Sequence, residues 1–186
     1  QRLNAVAHYR KAWDQQKDNE SYLNQLITVL YDSAGKAGQL KPLVDDYGRR
    51  YPGNQEYFGR ALSNLAHANA REKQLPQAVS VAVQALAQNP GYRDLANYYV
   101  RWMNELDPKR LPEAEQALRG AFAKAPANTR HFIRLALALD IYRDRTKDVN
   151  RARSEILQLV REEPVNDGRI ASALSLSPLH ISAPTT

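Results

Sequence analysis

NLAHANAREKQLPQAVSVAVQALAQNP, the stretch from Asn64 to Pro90, contains two apolar segments with helical spacing on either side of a polar break at Arg71-Glu72-Lys73-Gln74. Pro90 follows the second segment. Proline ends a helix because it has no amide hydrogen and because its ring clashes with the preceding turn. The stretch therefore predicts a pair of antiparallel helices that ends before Pro90.

Two small residues face each other in this predicted pair. Ala66 lies in the first segment and Ala78 in the second, each among larger apolar neighbours. Small side chains allow two helices to approach closely while the larger neighbours fill the groove between them. We expect a bulky side chain at either position to force the two helices apart.

The closing proline recurs along the chain. Pro52, Pro90, Pro126 and Pro164 follow apolar helical stretches at intervals of 36 to 38 residues. A regular interval of about this length is typical of proteins built from stacked helical hairpins. The interval predicts several helix pairs in succession.

The Asn64 to Pro90 unit resembles the tetratricopeptide repeat (TPR) motif. The matching positions are Leu62, just before this stretch, and Leu65, Ala66, Ala78, Ala82, Ala85 and Pro90 within it, whereas Asn69 stands where the motif usually has an aromatic residue. The resemblance implies an all-α fold, a right-handed superhelical solenoid of antiparallel helix pairs. It also implies a scaffold that binds a partner protein or peptide in the concave groove of the array.

The same pattern divides the rest of the chain. Ala114, Leu118, Ala121 and Pro126 repeat the second-helix signature, and the loop from Tyr142 to Val149 is longer than the motif allows. The predicted units are 1–18, the second helix of a truncated repeat; 19–53, a degenerate repeat; 54–91, the clearest repeat; 92–127 and 128–165, TPR-like repeats; and 166–186, a Ser/Pro/Ala-rich tail that is flexible or docked. The lone helix in 1–18 predicts that this chain is a fragment of a longer array.

A polar stripe on the first helix of the clearest unit is the candidate binding surface. Arg60, Asn64, His67 and Arg71 are spaced four, three and four residues apart, which places them on one side of a helix. Arg101, Arg130 and Arg134 come from the first helices of later units, and together these seven residues predict a cationic groove. The alternative is a hydrated helix face. By resemblance, Asn64, Arg130 and Arg134 also fall where some TPR modules hold a peptide's terminal carboxylate, although the repeats involved are not consecutive here.

The sequence gives no pattern expected of a catalytic, metal or cofactor site. His8, His67, His131 and His180 are scattered, there is no cysteine, and no glycine-rich phosphate loop follows a strand. Adjacent acids such as Asp45-Asp46 point about 100° apart on a helix, unlike the facing carboxylates used in acid-base catalysis. We therefore expect no enzyme activity, no cofactor and no metal.

Charge and composition leave several partners open. The formal charge of +6 favours an acidic partner protein or peptide, or else nucleic acid. The leading hypothesis is a protein-binding scaffold, as in bacterial secretion or envelope assemblies; the alternatives are a basic helical-repeat module that binds nucleic acid, and an accessory domain of a larger enzyme. Exposed terminal helices also suggest a homodimer. No apolar stretch is long enough to cross a membrane, and a lack of cysteine fits cytoplasm and bacterial periplasm equally.

Overall fold

The computed structural model describes residues 2–162, and the side chains of residues 4–161. All regular elements in this part of the chain are helices, which confirms the all-α class. Helices α1 to α9 span Arg2–Gln15, Glu20–Asp32, Ala37–Arg50, Gln55–Arg71, Leu75–Leu86, Leu95–Leu106, Leu111–Lys124, Arg130–Leu135 and Val149–Glu162. Helix α8 continues directly into a π-helical segment, Ala136–Arg143.

Local sequence explains where most of these helices begin and end. Asn19 and Asn54 cap α2 and α4, because each side-chain oxygen accepts a hydrogen bond from a backbone N–H in the first turn, at 3.3 Å in both cases. The polar break at residues 72–74 separates α4 from α5. Pro52, Pro90 and Pro126 each follow a helix end, whereas Pro164 and the tail 166–186 lie outside the described residues.

Each helix packs against its neighbours in chain order. Within residues 2–162, substantial contacts join α1 to α2 and continue pair by pair to α9. Further contacts join α2 to α4, α5 to α7, and α6 to the π-helical segment. All the substantial contacts are therefore between helices no more than two places apart in the chain.

The interface between α4 and α5 is the most extensive of these, and small residues make it possible. Ala66 and Ala78 are both fully buried. Gly59 of α4 also lies close to the chain beyond α5, where an added Cβ would be 2.7 Å from the Cβ of Asn89. The predicted close approach of these two helices is thus present.

The buried side chains form one long cluster and one small one. The long cluster runs from Trp13 in α1 to Ala152 in α9. The small cluster, formed by Leu135, Ala138, Ile156 and Leu159, joins α8 and its π-helical continuation to α9. Among the helices described, none combines the length and the apolar character needed to cross a membrane.

Candidate functional site

A cleft lies where α2, α4 and α6 come together. Its volume is about 340 Å³. It is lined by Tyr31, His67, Ala70, Arg71, Lys73, Leu75, Tyr98, Arg101, Trp102 and Glu105. The cleft thus combines aromatic and basic side chains that three separate helices contribute.

An aromatic cluster around His67 forms the inner wall of this cleft. The imidazole ring lies edge-on to Tyr98 and Trp102, with ring centroids 4.8 Å and 4.9 Å away, and the Tyr31 ring centroid is 6.4 Å away. Trp102 is buried, but 40% of the Tyr98 surface is exposed. Tyr98 therefore forms the solvent-facing edge of the cluster.

The environment of His67 disfavours a positive charge. Burial, together with the nearby guanidinium groups of Arg93 and Arg71, lowers the pKa of the imidazole to about 4. A backbone hydrogen bond with Arg93 and the carboxylate of Asp94 oppose this shift only in part. The histidine is consequently neutral at physiological pH. Its Nε2 atom is buried and has no hydrogen-bond partner among the residues that the structure describes.

Arg93 reaches this cluster through an unusual backbone. Arg93 and Asp94 are consecutive residues in the left-handed region, with φ of 53° and 54°. Side chains other than glycine adopt this region at a cost of about 1–3 kcal/mol each. The conformation brings the Arg93 guanidinium 4.6 Å from the Tyr31 ring centroid and 2.7 Å from an Asp32 carboxylate oxygen. These contacts link the chain before α6 to the end of α2.

The remaining basic side chains of the cleft differ in how firmly they are held. Arg71 stacks 4.4 Å from the Tyr31 ring and donates hydrogen bonds to the carbonyl oxygens of Tyr31 and Gly35. Lys73 lies 4.0 Å from a Glu105 oxygen. Arg101 is exposed and makes no hydrogen bond or ion pair with the described part of the chain. Arg101 is therefore the side chain available to pair with an external anion.

The structure brings together only part of the predicted binding stripe. His67, Arg71 and Arg101 all line the cleft. Arg60 lies outside it, where it pairs with Glu56 and stacks on Tyr57. Asn64 is fully buried, and neither polar atom of its amide has a hydrogen-bond partner within the described part of the chain. The four residues share one side of α4, but they do not form a continuous solvent-exposed stripe.

Arg130 and Arg134 lie elsewhere and do not join the predicted groove. Both stack on Phe122 of α7, at 5.4 Å and 4.8 Å. Arg130 also donates hydrogen bonds to the carbonyl oxygens of Ala125 and Ala123. Arg134 is buried, 3.7 Å from a Glu155 oxygen. The two arginines were predicted to face a ligand because they lie on a first helix, but both side chains pack against α7, and Arg134 also lies near Glu155 of α9.

Sequence reasoning did not assign Tyr31 and Arg93 to the site. Tyr31 is the penultimate residue of α2, where the apolar pattern gave no sign that its ring would contact α4. Arg93 depends on a left-handed backbone that no residue type in this stretch signals. Tyr98 and Trp102 lie at the boundary between the core and the cleft, since Trp102 is buried and Tyr98 is partly exposed.

Two larger depressions have simpler linings. One, of about 810 Å³, lies at the turn between α1 and α2 and is lined mainly by short polar and charged side chains with Tyr57. The other, of about 660 Å³, lies between α3 and α5 over Leu62 and Leu65. Neither places several aromatic rings beside a basic side chain that lacks a partner among the described residues. The described residues contain no group of three or more His, Cys, Asp or Glu side chains placed to hold a metal ion.

No model of a known protein family matches this chain, and no curated protein or solved structure matches it either.

Proposed function

We propose that this chain is a scaffold that binds a partner protein or peptide through the cleft between α2, α4 and α6. In this proposal the helices pair as α2/α3, α4/α5, α6/α7 and α8/α9, and the pairs stack as a TPR-like solenoid. The contacts of α2 with α4, of α5 with α7, and of α6 with the π-helical segment support such stacking. The first helices of successive pairs would then line one continuous surface.

The observation that carries the proposal is the composition of the cleft. Aromatic side chains and arginine are the residues most enriched at the energetic centres of protein interfaces. Here Tyr98, Trp102 and Arg101 meet in one open cleft. The stability of the fold alone does not require Arg101, which has no partner among the described residues, to lie beside the partly exposed ring of Tyr98.

The charge of the cleft indicates the kind of partner. Its lining carries three basic side chains, Arg71, Lys73 and Arg101, against one acidic side chain, Glu105, while His67 is neutral. Opposite charges across an interface speed association and exclude wrong partners. We therefore infer that the partner presents an acidic segment.

A selection from a library of short random peptides tests this function. We expect acidic peptides to be enriched on the wild-type chain and to be lost on Arg101→Glu. Arg153→Glu is the matched control, because Arg153 is also exposed but lies on α9, away from the cleft. Enrichment that survives Arg101→Glu, or that both variants lose equally, would contradict binding in this cleft.

A single-stranded oligonucleotide provides the second arm of the same experiment, because arginines beside a partly exposed tyrosine are also found in nucleic-acid-binding grooves. Retention of the oligonucleotide that falls steeply with salt and requires Arg101 would favour the nucleic-acid alternative. Circular dichroism of each variant shows whether the helical content is intact. We expect the oligonucleotide to be retained weakly and equally by both variants.

A further inference from the structure

A further arginine lies at the edge of the cleft, next to its lining. The guanidinium of Arg93 is 4.6 Å from the ring centroid of Tyr31, which forms part of the cleft wall. The same guanidinium is 5.3 Å from the Tyr92 ring, and its Nε donates a hydrogen bond to the Tyr92 hydroxyl at 3.2 Å. Arginine stacks readily on aromatic rings because its guanidinium is planar and weakly hydrated. Two tyrosines therefore hold a positive charge beside the basic side chains of the cleft.

Arg93 is paired with an acidic residue of this chain. Its Nη2 donates to Oδ1 of Asp32, the last residue of α2, across 2.7 Å. The two side chains are 35% and 44% exposed. An ion pair this exposed contributes little to stability, because water competes for both charges. A carboxylate from another molecule can therefore replace Asp32 on Arg93 at a small cost in free energy.

Contacts other than this ion pair help to determine the position of Arg93. The hydroxyl of Ser63 in α4 donates to the carbonyl oxygen of the preceding residue, Tyr92, at 3.4 Å. The left-handed backbone of Arg93 and Asp94 costs more free energy than one exposed ion pair returns. The ion pair thus does not account for an arginine at this position, whereas the binding of an anion at the edge of the cleft does.

We propose that Arg93 is a second anion-binding side chain of the cleft, and that Asp32 is an internal competitor that occupies it until an acidic partner segment binds. This inference rests on the proposed function. One carboxylate of the partner pairs with Arg101, and another takes the place of the Asp32 carboxylate on Arg93. Asp32 consequently weakens the binding of acidic partners and is released to water when they bind.

A double-mutant cycle measured by fluorescence anisotropy tests the competition. The probe is a labelled synthetic peptide with glutamates on both sides of a central tyrosine. We expect Asp32→Asn to tighten its binding about fivefold, because this change removes the competing carboxylate and keeps the size of the side chain. Arg93→Gln should weaken binding by a similar factor. When Arg93→Gln is already present, Asp32→Asn should have almost no effect, because the cation for which the carboxylates compete is absent.

Glu105→Gln is the matched control, because it also removes one negative charge beside the cleft but lies next to Lys73 instead of Arg93. Its effect on binding should be the same with and without Arg93→Gln. Arg93→Met is a second variant without the charge, and circular dichroism of each variant measures its helical content. Independently of any Arg93 variant, Asp32→Asn should tighten binding more than Glu105→Gln does.

The outcomes separate the two proposals. Binding that requires Arg101 but tightens no more in Asp32→Asn than in Glu105→Gln would leave the peptide-binding function standing and overturn the competition. Tightening by Asp32→Asn that persists in the absence of Arg93 would also overturn the competition alone. A peptide that does not bind, or that binds equally to Arg101→Glu, would overturn the proposed function and the competition together.

Discussion

At the scale of single residues, His67 makes the stability of the fold depend on pH. The pKa of His67 in the folded chain, about 4, lies below the ordinary histidine value of 6.5, because burial and the charges of Arg93 and Arg71 outweigh the opposing effect of Asp94. Between these two values the unfolded chain binds a proton that the folded chain does not. The contribution of His67 to the unfolding free energy is thus fully present above about pH 6.5 and declines as the pH falls toward about 4.

Urea unfolding at about pH 7 and about pH 4.5 measures this effect. We expect the wild-type chain to lose about 2 kcal/mol of unfolding free energy from His67 alone over this interval, since each pKa unit corresponds to about 1.4 kcal/mol. His67→Phe keeps a ring beside Tyr98 and Trp102 but does not titrate. Over the same pH interval, the unfolding free energy of His67→Phe should therefore fall by about 2 kcal/mol less than that of the wild type. Parallel pH profiles for the two proteins would show that the imidazole is not held neutral.

The sequence predicts which residues lie near the site more reliably than it predicts where their side chains point. Helical spacing correctly puts His67 and Arg71 on one side of α4, and Arg101 reaches the same cleft. Spacing does not reveal burial, so Asn64 was expected to face a ligand although the adjacent helices enclose it. Arg134 was misplaced for a similar reason, because its partners Phe122 and Glu155 come from other helices.

At the scale of helices, the contact between α4 and the end of α5 depends on a glycine. An alanine Cβ at Gly59 would lie 2.7 Å from the Cβ and 3.0 Å from the backbone nitrogen of Asn89. Backbone atoms cannot move aside as the end of a flexible side chain can. Gly120 in α7 is a matched comparison, because it is also inside a helix and an added Cβ would meet nothing within 4 Å.

Alanine substitutions at the two glycines should therefore have opposite effects. Gly120→Ala gains helix propensity without a clash, and we expect it to raise the unfolding free energy by about 0.5–1 kcal/mol. Gly59→Ala gains the same propensity but must separate α4 from Asn89, and we expect a net loss of about 1–3 kcal/mol. Urea denaturation of both variants gives the comparison. A stabilising Gly59→Ala would mean that this contact is looser than described.

Helix ends were predictable where a single residue type causes them. Pro52, Pro90 and Pro126 and the polar break after Arg71 mark ends or starts of helices, because proline and consecutive polar residues interrupt an apolar helical pattern. The π-helical continuation Ala136–Arg143 has no such marker. Its residues have ordinary helical preferences, and the segment packs against α6 and α9. Tertiary contacts of this kind cannot be read from local sequence.

At the scale of the whole molecule, the order of the helix contacts determines which helices a destabilising substitution affects. Within the described residues, no helix makes substantial contact with another more than two places away in the chain. In such an arrangement stability is close to a sum of local terms and interfaces between neighbours, so one end can open while the other stays folded. A globular bundle in which distant helices touch would instead unfold as one unit.

Two core substitutions at opposite ends test this by hydrogen exchange. Leu159 is buried in the small cluster between α9 and the π-helical segment, and Leu26 is fully buried in α2. Truncating a buried leucine to alanine costs about 2–5 kcal/mol. We expect Leu159→Ala to accelerate amide exchange in α8, in the π-helical segment and in α9, while α2 and α4 keep wild-type protection. Leu26→Ala should do the reverse. Because each variant is the other's control, a uniform acceleration across all helices in both would show that the chain unfolds as a single cooperative unit, and the proposed stack of helix pairs would lose its physical basis.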